Sequence, residues 1–190
     1  MKTNLPVTQK EVLLGAGESI VSTTDLKGQI TYINRSFLDI SGFTESELLG
    51  QPHNIVRHPD MPPEAFADLW NTLKAGRPWT GLVKNRCKNG DYYWVVANAT
   101  PIYQNAVVTG YMSVRTAPTR EQIETADSAY RMFREGRAAG LAIVDGAVVK
   151  SGFSLAGWLN NRTIGQRIFA ICGLLTAGML LVGGLGMMTV

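Results

Sequence analysis

Arg57, His58 and Asp60 stand within four residues of one another, in a stretch (Asn54–Pro62) that carries prolines at 59 and 62. Proline fixes its own φ and pushes the preceding residue into extended backbone, so these three side chains sit on a stiff loop rather than on a helix. A stiff loop with a guanidinium, an imidazole and a carboxylate can wall a buried polar ligand. The same residues equally suit a solvated connector, because loops are polar as a rule.

Other chemistries lack their residues. No serine, histidine and aspartate follow a nucleophile turn, and no phosphate-cradling loop or Gly-x-Gly-x-x-Gly after a strand is present, so enzyme activity is not expected. Cys87 and Cys172 have neither metal nor disulfide spacing, which fits a reducing compartment. A formal charge of +3 on 190 residues gives no nucleic-acid signature. The N-terminus has no apolar run of signal-peptide length.

The elements that must position the loop follow from periodicity. Residues 1–18 form an arm that either packs on the domain or stays loose. Residues 19–24 and 29–33 are two strands joined at Gly28. Asn34 is placed to cap a helix over 35–40, and Thr44–Glu47 is a capping box for a second short one. After the loop, Pro63 opens a helix to Ala75 whose Phe66, Leu69, Trp70 and Leu73 make one apolar face. Strands over 79–85, 91–100 and 107–116 follow, with a hairpin signal at Asn89-Gly90. The fold class is therefore α+β: a five-stranded antiparallel sheet, helices on one face, and a pocket between them.

This order of elements, with Gly28-x-Ile30-x-Tyr32-x-Asn34, Gly42-Phe43, and Lys88-Asn89-Gly90-Asp91 leading to Trp94, resembles a PAS sensory domain. The segment Val56-Arg57-His58-Pro59-Asp60-Met61-Pro62, with Pro78-Trp79 and Lys84-Asn85-Arg86, is similar to the bacterial aerotaxis receptor family. The resemblance implies a domain over 19–118 that holds FAD and reports its redox state. Trp79 would then stack on or beside the flavin ring, and Asn85 would both donate to and accept from its edge. Arg57 and His58 would stabilise negative charge or hold phosphates, with Asp60 orienting one of them. Trp70 is counted with the site although aromatic stripes are usually core, and Asn34 and Asn98 are weaker candidates. Two alternatives stay open: a haem held through His53 or His58, and a cofactor-free dimerisation or docking module. Light-sensing flavin domains of this fold use an adduct-forming cysteine, which Gly50-Gln51-Pro52-His53 lacks.

Beyond the sheet, Thr119–Gln122 is a further capping box, opening a polar helix to about Arg137. Residues 141–149 read as either a hairpin or a helix, and the whole of 119–167 as a helical linker. Residues 168–190 are 23 residues without a charge. That is about 34 Å of helix at 1.5 Å per residue, enough to cross a bilayer core. Arg162 and Arg167 before it put the folded part on the cytoplasmic side of a bacterial inner membrane. Its glycines favour close helix approach and a homodimer. The resemblance further implies chemotaxis signalling partners, reached through a HAMP relay and a coiled-coil domain that this sequence does not include.

Overall fold

The computed structural model describes residues 4–15 and 17–151. The expected transmembrane segment, 168–190, lies outside them, and among the described residues no helix is long and apolar enough to cross a membrane.

Five strands, β1 (Ile20–Thr24), β2 (Ile30–Ile33), β3 (Trp79–Arg86), β4 (Tyr92–Gln104) and β5 (Val107–Thr116), form one antiparallel sheet in the order β2-β1-β5-β4-β3. The first hairpin and the last strand therefore pair across the middle, through Ser22 opposite Ser113 and Thr24 opposite Tyr111. Between β2 and β3 run α1 (Arg35–Ser41), α2 (Glu45–Leu48), a 3₁₀ turn (His53–Val56) and α3 (Pro63–Lys74).

Register decides which side chains share a face, because alternate residues of a strand point oppositely and paired residues point alike. Trp79, Gly81, Val83 and Asn85 of β3 stand opposite Ala99, Ala97, Val95 and Tyr93 of β4. Ala97 and Ala99 in turn face Arg115 and Ser113 of β5. This is the inner face, covered by α3. Leu82, Lys84 and Trp94 point the other way.

The outer face is not bare, which corrects the expectation of helices on one face only. Helix α4 (Arg120–Arg134) lies there: Tyr130 stacks on Trp94 with ring centroids 6.3 Å apart, and its hydroxyl donates to the Leu82 carbonyl at 2.8 Å. Trp94 is an apolar side chain on the outer face, and burying it needs a second layer. After α4 the chain forms a hairpin, β6 (Leu141–Val144) and β7 (Ala147–Lys150), so the helix alternative for this segment falls.

The arm is docked rather than loose. Asn4 Nδ2 donates to the carbonyls of Asn54 and Arg57, the Arg86 guanidinium donates to those of Leu5 and Pro6, and Glu11 pairs with Arg120 at the start of α4. Arg86 is buried, and the arm's carbonyls satisfy its donors in place of water.

Asn34 is entirely occupied with folding. Its Oδ1 accepts from the backbone N–H groups of Phe37 (3.2 Å) and Val21 (3.0 Å), and its Nδ2 donates to the Ser19 carbonyl at 2.8 Å. One side chain thus caps α1 and ties it to β1, away from any ligand. Substituting Asn34→Ala is expected to cost about 1–2 kcal/mol in chemical denaturation and to leave bound cofactor per folded protein unchanged. Loss of cofactor from a fully folded variant would return Asn34 to the site.

Candidate functional site

Between α3 and the inner face is a cavity of about 230 Å³. That is just under the roughly 300–1,000 Å³ usual for whole small-molecule sites, so it has room for a ring system with the rest of a ligand at the mouth. The apolar face of α3 forms one wall with Phe66, Leu69, Trp70 and Leu73, and the sheet forms the other with Val83, Ala97 and Ala99. Two flat apolar walls facing each other suit a planar guest. Small residues on the sheet and long ones on the helix set the gap.

The polar lining has one sign. Lys27, Arg57 and Arg115 line the cavity, and among the described residues no aspartate or glutamate does so. Arg115, on β5, is only 5% exposed. Its Nη2 donates to Ser22 Oγ at 3.0 Å and lies 2.6 Å from His53 Nε2, while its Nη1 has no partner among the described residues. Burial pulls its pKa down to about 10, so it is still charged at neutral pH. Because arginine has only donors, His53 must accept at Nε2 and is therefore neutral. The His53 ring is crowded by protein although part of its surface is open. Burial first, then the charges of Arg115 and Arg57, hold its pKa well below the ordinary value.

Arg57 lies 3.5 Å above the Phe66 ring, and its Nε is buried without a partner among the described residues. Its backbone bridges to Asn85 at the free side of β3. Asn85 is 4% exposed and makes no side-chain hydrogen bond among the described residues. Buried amides and guanidinium donors are nearly always satisfied in a folded protein, so unmet groups around one cavity mark where a ligand's polar atoms belong.

Of the eight residues singled out from sequence, the cavity gathers Arg57, Trp70 and Asn85. The other five stand off it. Asn34 is the cap described above. His58 follows Arg57 on a segment paired to β3, so it faces the opposite way. It is buried against the outer side, with Nδ1 accepting from the Asp60 N–H at 3.1 Å and its ring edge-on to Tyr92. Asp60 is there too, bonded to Lys84 Nζ at 2.6 Å. Burial alone would raise the Asp60 pKa, but the hydrogen bond and charge of Lys84 outweigh it and the carboxyl is held below its ordinary value. Trp79 is on the inner face but folds over Gly81, and its indole N–H donates to Asp68 on α3 at 2.7 Å. Asn98, between the inward Ala97 and Ala99, is exposed on the outer face and accepts from the Thr80 hydroxyl. Sequence reasoning missed Arg115 and Ser22 altogether. The available signal was the alternation Tyr111, Ser113, Arg115 on a strand already identified.

A sequence profile described as the PAS fold matches residues 30–115. The aerotaxis receptor of Escherichia coli (strain K12) is 49% identical over 153 residues, which cover 80% of this chain and 30% of that protein. The nitrogen fixation regulatory protein of Klebsiella pneumoniae is 32% identical over 82 residues, 43% of this chain and 17% of that one. The chain thus spans under a third of either relative. Among solved structures, the light state of the blue-light photoreceptor Aureochrome1 LOV superposes with a TM-score of 0.53 at 17% identity, covering 59% of this chain and 94% of that one. A light-oxygen-voltage domain studied with a flavin analogue gives 0.52 at 20% identity, covering 64% and 90%. These two establish the fold alone. The chain carries a PAS domain and, over the 153 residues compared, is similar to an aerotaxis receptor.

Proposed function

We propose that this chain is the sensing part of a membrane-anchored, redox- or oxygen-responsive receptor that holds FAD in its PAS cavity and does no catalysis. The observation that carries the reading is the cavity itself: two apolar walls, unmet donors on Arg57 and Arg115, the Asn85 amide facing in without a hydrogen bond among the described residues, and no carboxylate among the described lining residues to balance the cations. A buried charge without a partner is costly, and an electron-rich ring edge is the kind of guest that offsets it. Bound flavin supplies reversible electron uptake, with negative charge growing on the ring when it is reduced. Arg115 and Arg57 would favour that charge, Asn85 would read the ring's donor and acceptor edge, and Trp70 and Phe66 would exclude water. Lys27, which lines the cavity and is exposed, would meet the phosphates of the remaining chain. The similarity to an aerotaxis receptor supports chemotaxis proteins as partners, reached through downstream domains, in a homodimer at the cytoplasmic face of a bacterial inner membrane.

The test is the visible spectrum of the full chain, purified in detergent, before and after dithionite, with the released cofactor identified by chromatography. Flavin absorption that bleaches on reduction, from FAD, is expected. A colourless chain that cannot be reconstituted with FAD would leave the cofactor-free docking module. A Soret band would instead favour haem, for which His53 is the one histidine lining the cavity.

A further inference from the structure

The tip of the β6–β7 hairpin, which leads the chain out of the domain, is hydrogen-bonded to the PAS core at one carboxylate, while Ile143 and Val148 pack on the core beside it. Asp68 of α3 accepts three N–H groups: the Trp79 indole at 2.7 Å and the Gly146 backbone at 2.8 Å on Oδ2, and the Asp145 backbone at 3.0 Å on Oδ1. The contact is reciprocal. The Asp145 carboxylate accepts from Thr72 Oγ1 at 3.2 Å and pairs with Arg77 at 3.1 Å, both groups lying in or just after α3. The turn that presents the two N–H groups needs φ of +49° at Asp145 and +82° at Gly146, and a Cβ at 146 would come within 1.9 Å of the Thr80 carbonyl oxygen. Only glycine brings the tip this close to β3.

We infer that Asp68 is a latch that reports the state of the cavity to the chain leaving the domain. The inference rests on the reading that the cavity holds a flavin. One helix serves both ends of the connection: α3 turns Phe66, Leu69, Trp70 and Leu73 toward the cavity, and Asp68 and Thr72 toward the hairpin. Trp79, the third donor, is fully buried on the inner face and paired with Ala99, which lines the cavity. A small displacement of α3 or of the indole alters the geometry of a carboxylate whose two oxygens serve three donors. Hydrogen bonds weaken steeply with angle, so the hairpin is freed or gripped by a motion too small to disturb the sheet. Asp68 acts here as a positioning residue. It touches no ligand.

Hydrogen exchange followed by mass spectrometry on the full chain in detergent tests this, comparing wild type, Asp68→Asn and Trp79→Phe, each oxidised and after dithionite. In Asp68→Asn one oxygen becomes an N–H₂ facing a donor. Amides of residues 141–150 are expected to exchange at least tenfold faster than in wild type, with β1 and β5 unchanged. In flavin-loaded wild type those same amides should change at least threefold on reduction, and Asp68→Asn should abolish the difference. Trp79→Phe should keep the hairpin protected while losing its redox dependence. Equal hairpin exchange in wild type and Asp68→Asn would overturn the latch. So would a flavin-loaded wild type whose hairpin is indifferent to reduction. A chain that takes up no flavin sinks the functional reading and the coupling to it, and the ligand-free comparison of wild type with Asp68→Asn then decides the latch on its own.

Discussion

Substituting Arg115→Met is expected to weaken flavin retention by roughly tenfold to a hundredfold while changing the stability of the ligand-free protein by no more than about 1 kcal/mol. The two halves of this result have one cause. Arg115 is buried, charged and without a carboxylate partner among the described residues, its contacts being Ser22, His53 and the Phe37 ring. A buried cation in that state contributes little to the empty fold, and replacing it with an apolar chain of similar length removes a desolvation cost. His53 Nε2 loses its donor in exchange, which offsets part of the gain. With an electron-rich ligand present the balance changes, because a hydrogen bond to a charged group contributes about 1.5–3 kcal/mol, and each 1.4 kcal/mol is a factor of ten. Leu48→Ala is the contrasting control. It removes a fully buried core side chain that does not line the cavity and should cost about 2–5 kcal/mol of stability whatever is bound. Arg115→Lys should fall between, since lysine keeps the charge but not the fork that reaches two acceptors. The measurements are flavin titration by fluorescence and denaturant midpoints of the flavin-free chains. An Arg115→Met protein that binds as wild type does and unfolds several kcal/mol more easily would make Arg115 structural.

Much of this architecture is legible in the sequence because it is written in short-range rules. Alternation gives all five strands within a few residues of their ends, Asn89-Gly90 gives the β3–β4 turn, and the Phe66, Leu69, Trp70, Leu73 spacing gives the face of α3 that walls the cavity. Arg57 and Asn85 are found together because the family motif holds both, and the backbone bridge between them shows why. What escapes is anything decided by pairing between distant segments. That His58 turns away from the site follows only once Arg57 is known to pair with Asn85, since adjacent residues on an edge face oppositely. That Arg115 turns inward depends on its register with Ile20 and Ala97. Trp79 looked like a ligand-stacking residue because aromatic chains do that. Its indole instead found a carboxylate 11 positions earlier on α3, a contact that no local pattern encodes. The place of α4 on the outer face was hidden for the same reason: its polar composition reads as a solvated helix, and only Tyr130 and Ala126 are buried.

A second large effect is expected from pH. Lowering the pH from 6.5 to about 4 should remove about 3 kcal/mol or more of stability before the paired carboxylates contribute. His58 is buried beside Lys84, with Arg134 and Arg86 near by. Burial first, then the Lys84 charge, push its pKa from 6.5 to about 4, against an opposing pull from Asp60. The folded state therefore keeps His58 neutral through a range in which the unfolded chain binds a proton. Stability rises with pH wherever the unfolded state holds more protons, so this contribution is complete above pH 6.5 and is lost as pH falls toward 4. At about 1.4 kcal/mol per pH unit, that window gives about 3 kcal/mol from His58 alone. His53, also held neutral by burial, acts in the same direction. Against a typical total of 5–15 kcal/mol the change is large. Carboxylates act later: Asp60 and Asp91 are held below the ordinary value and Glu47 is held down to about 2, so their protonation weakens the fold only at lower pH. Denaturant midpoints of the full chain at half-unit steps from pH 7 to 4, for wild type and His58→Gln, separate the groups. Glutamine keeps a polar chain and takes up no proton, so the variant should lose roughly one proton's worth of slope between pH 6.5 and 4 and keep the fall below it. A wild-type stability that stays flat across that interval would mean that His58 is charged in the folded protein. Asp60, 3.5 Å from its Nδ1, would then be its counter-ion and no longer reserved for Lys84.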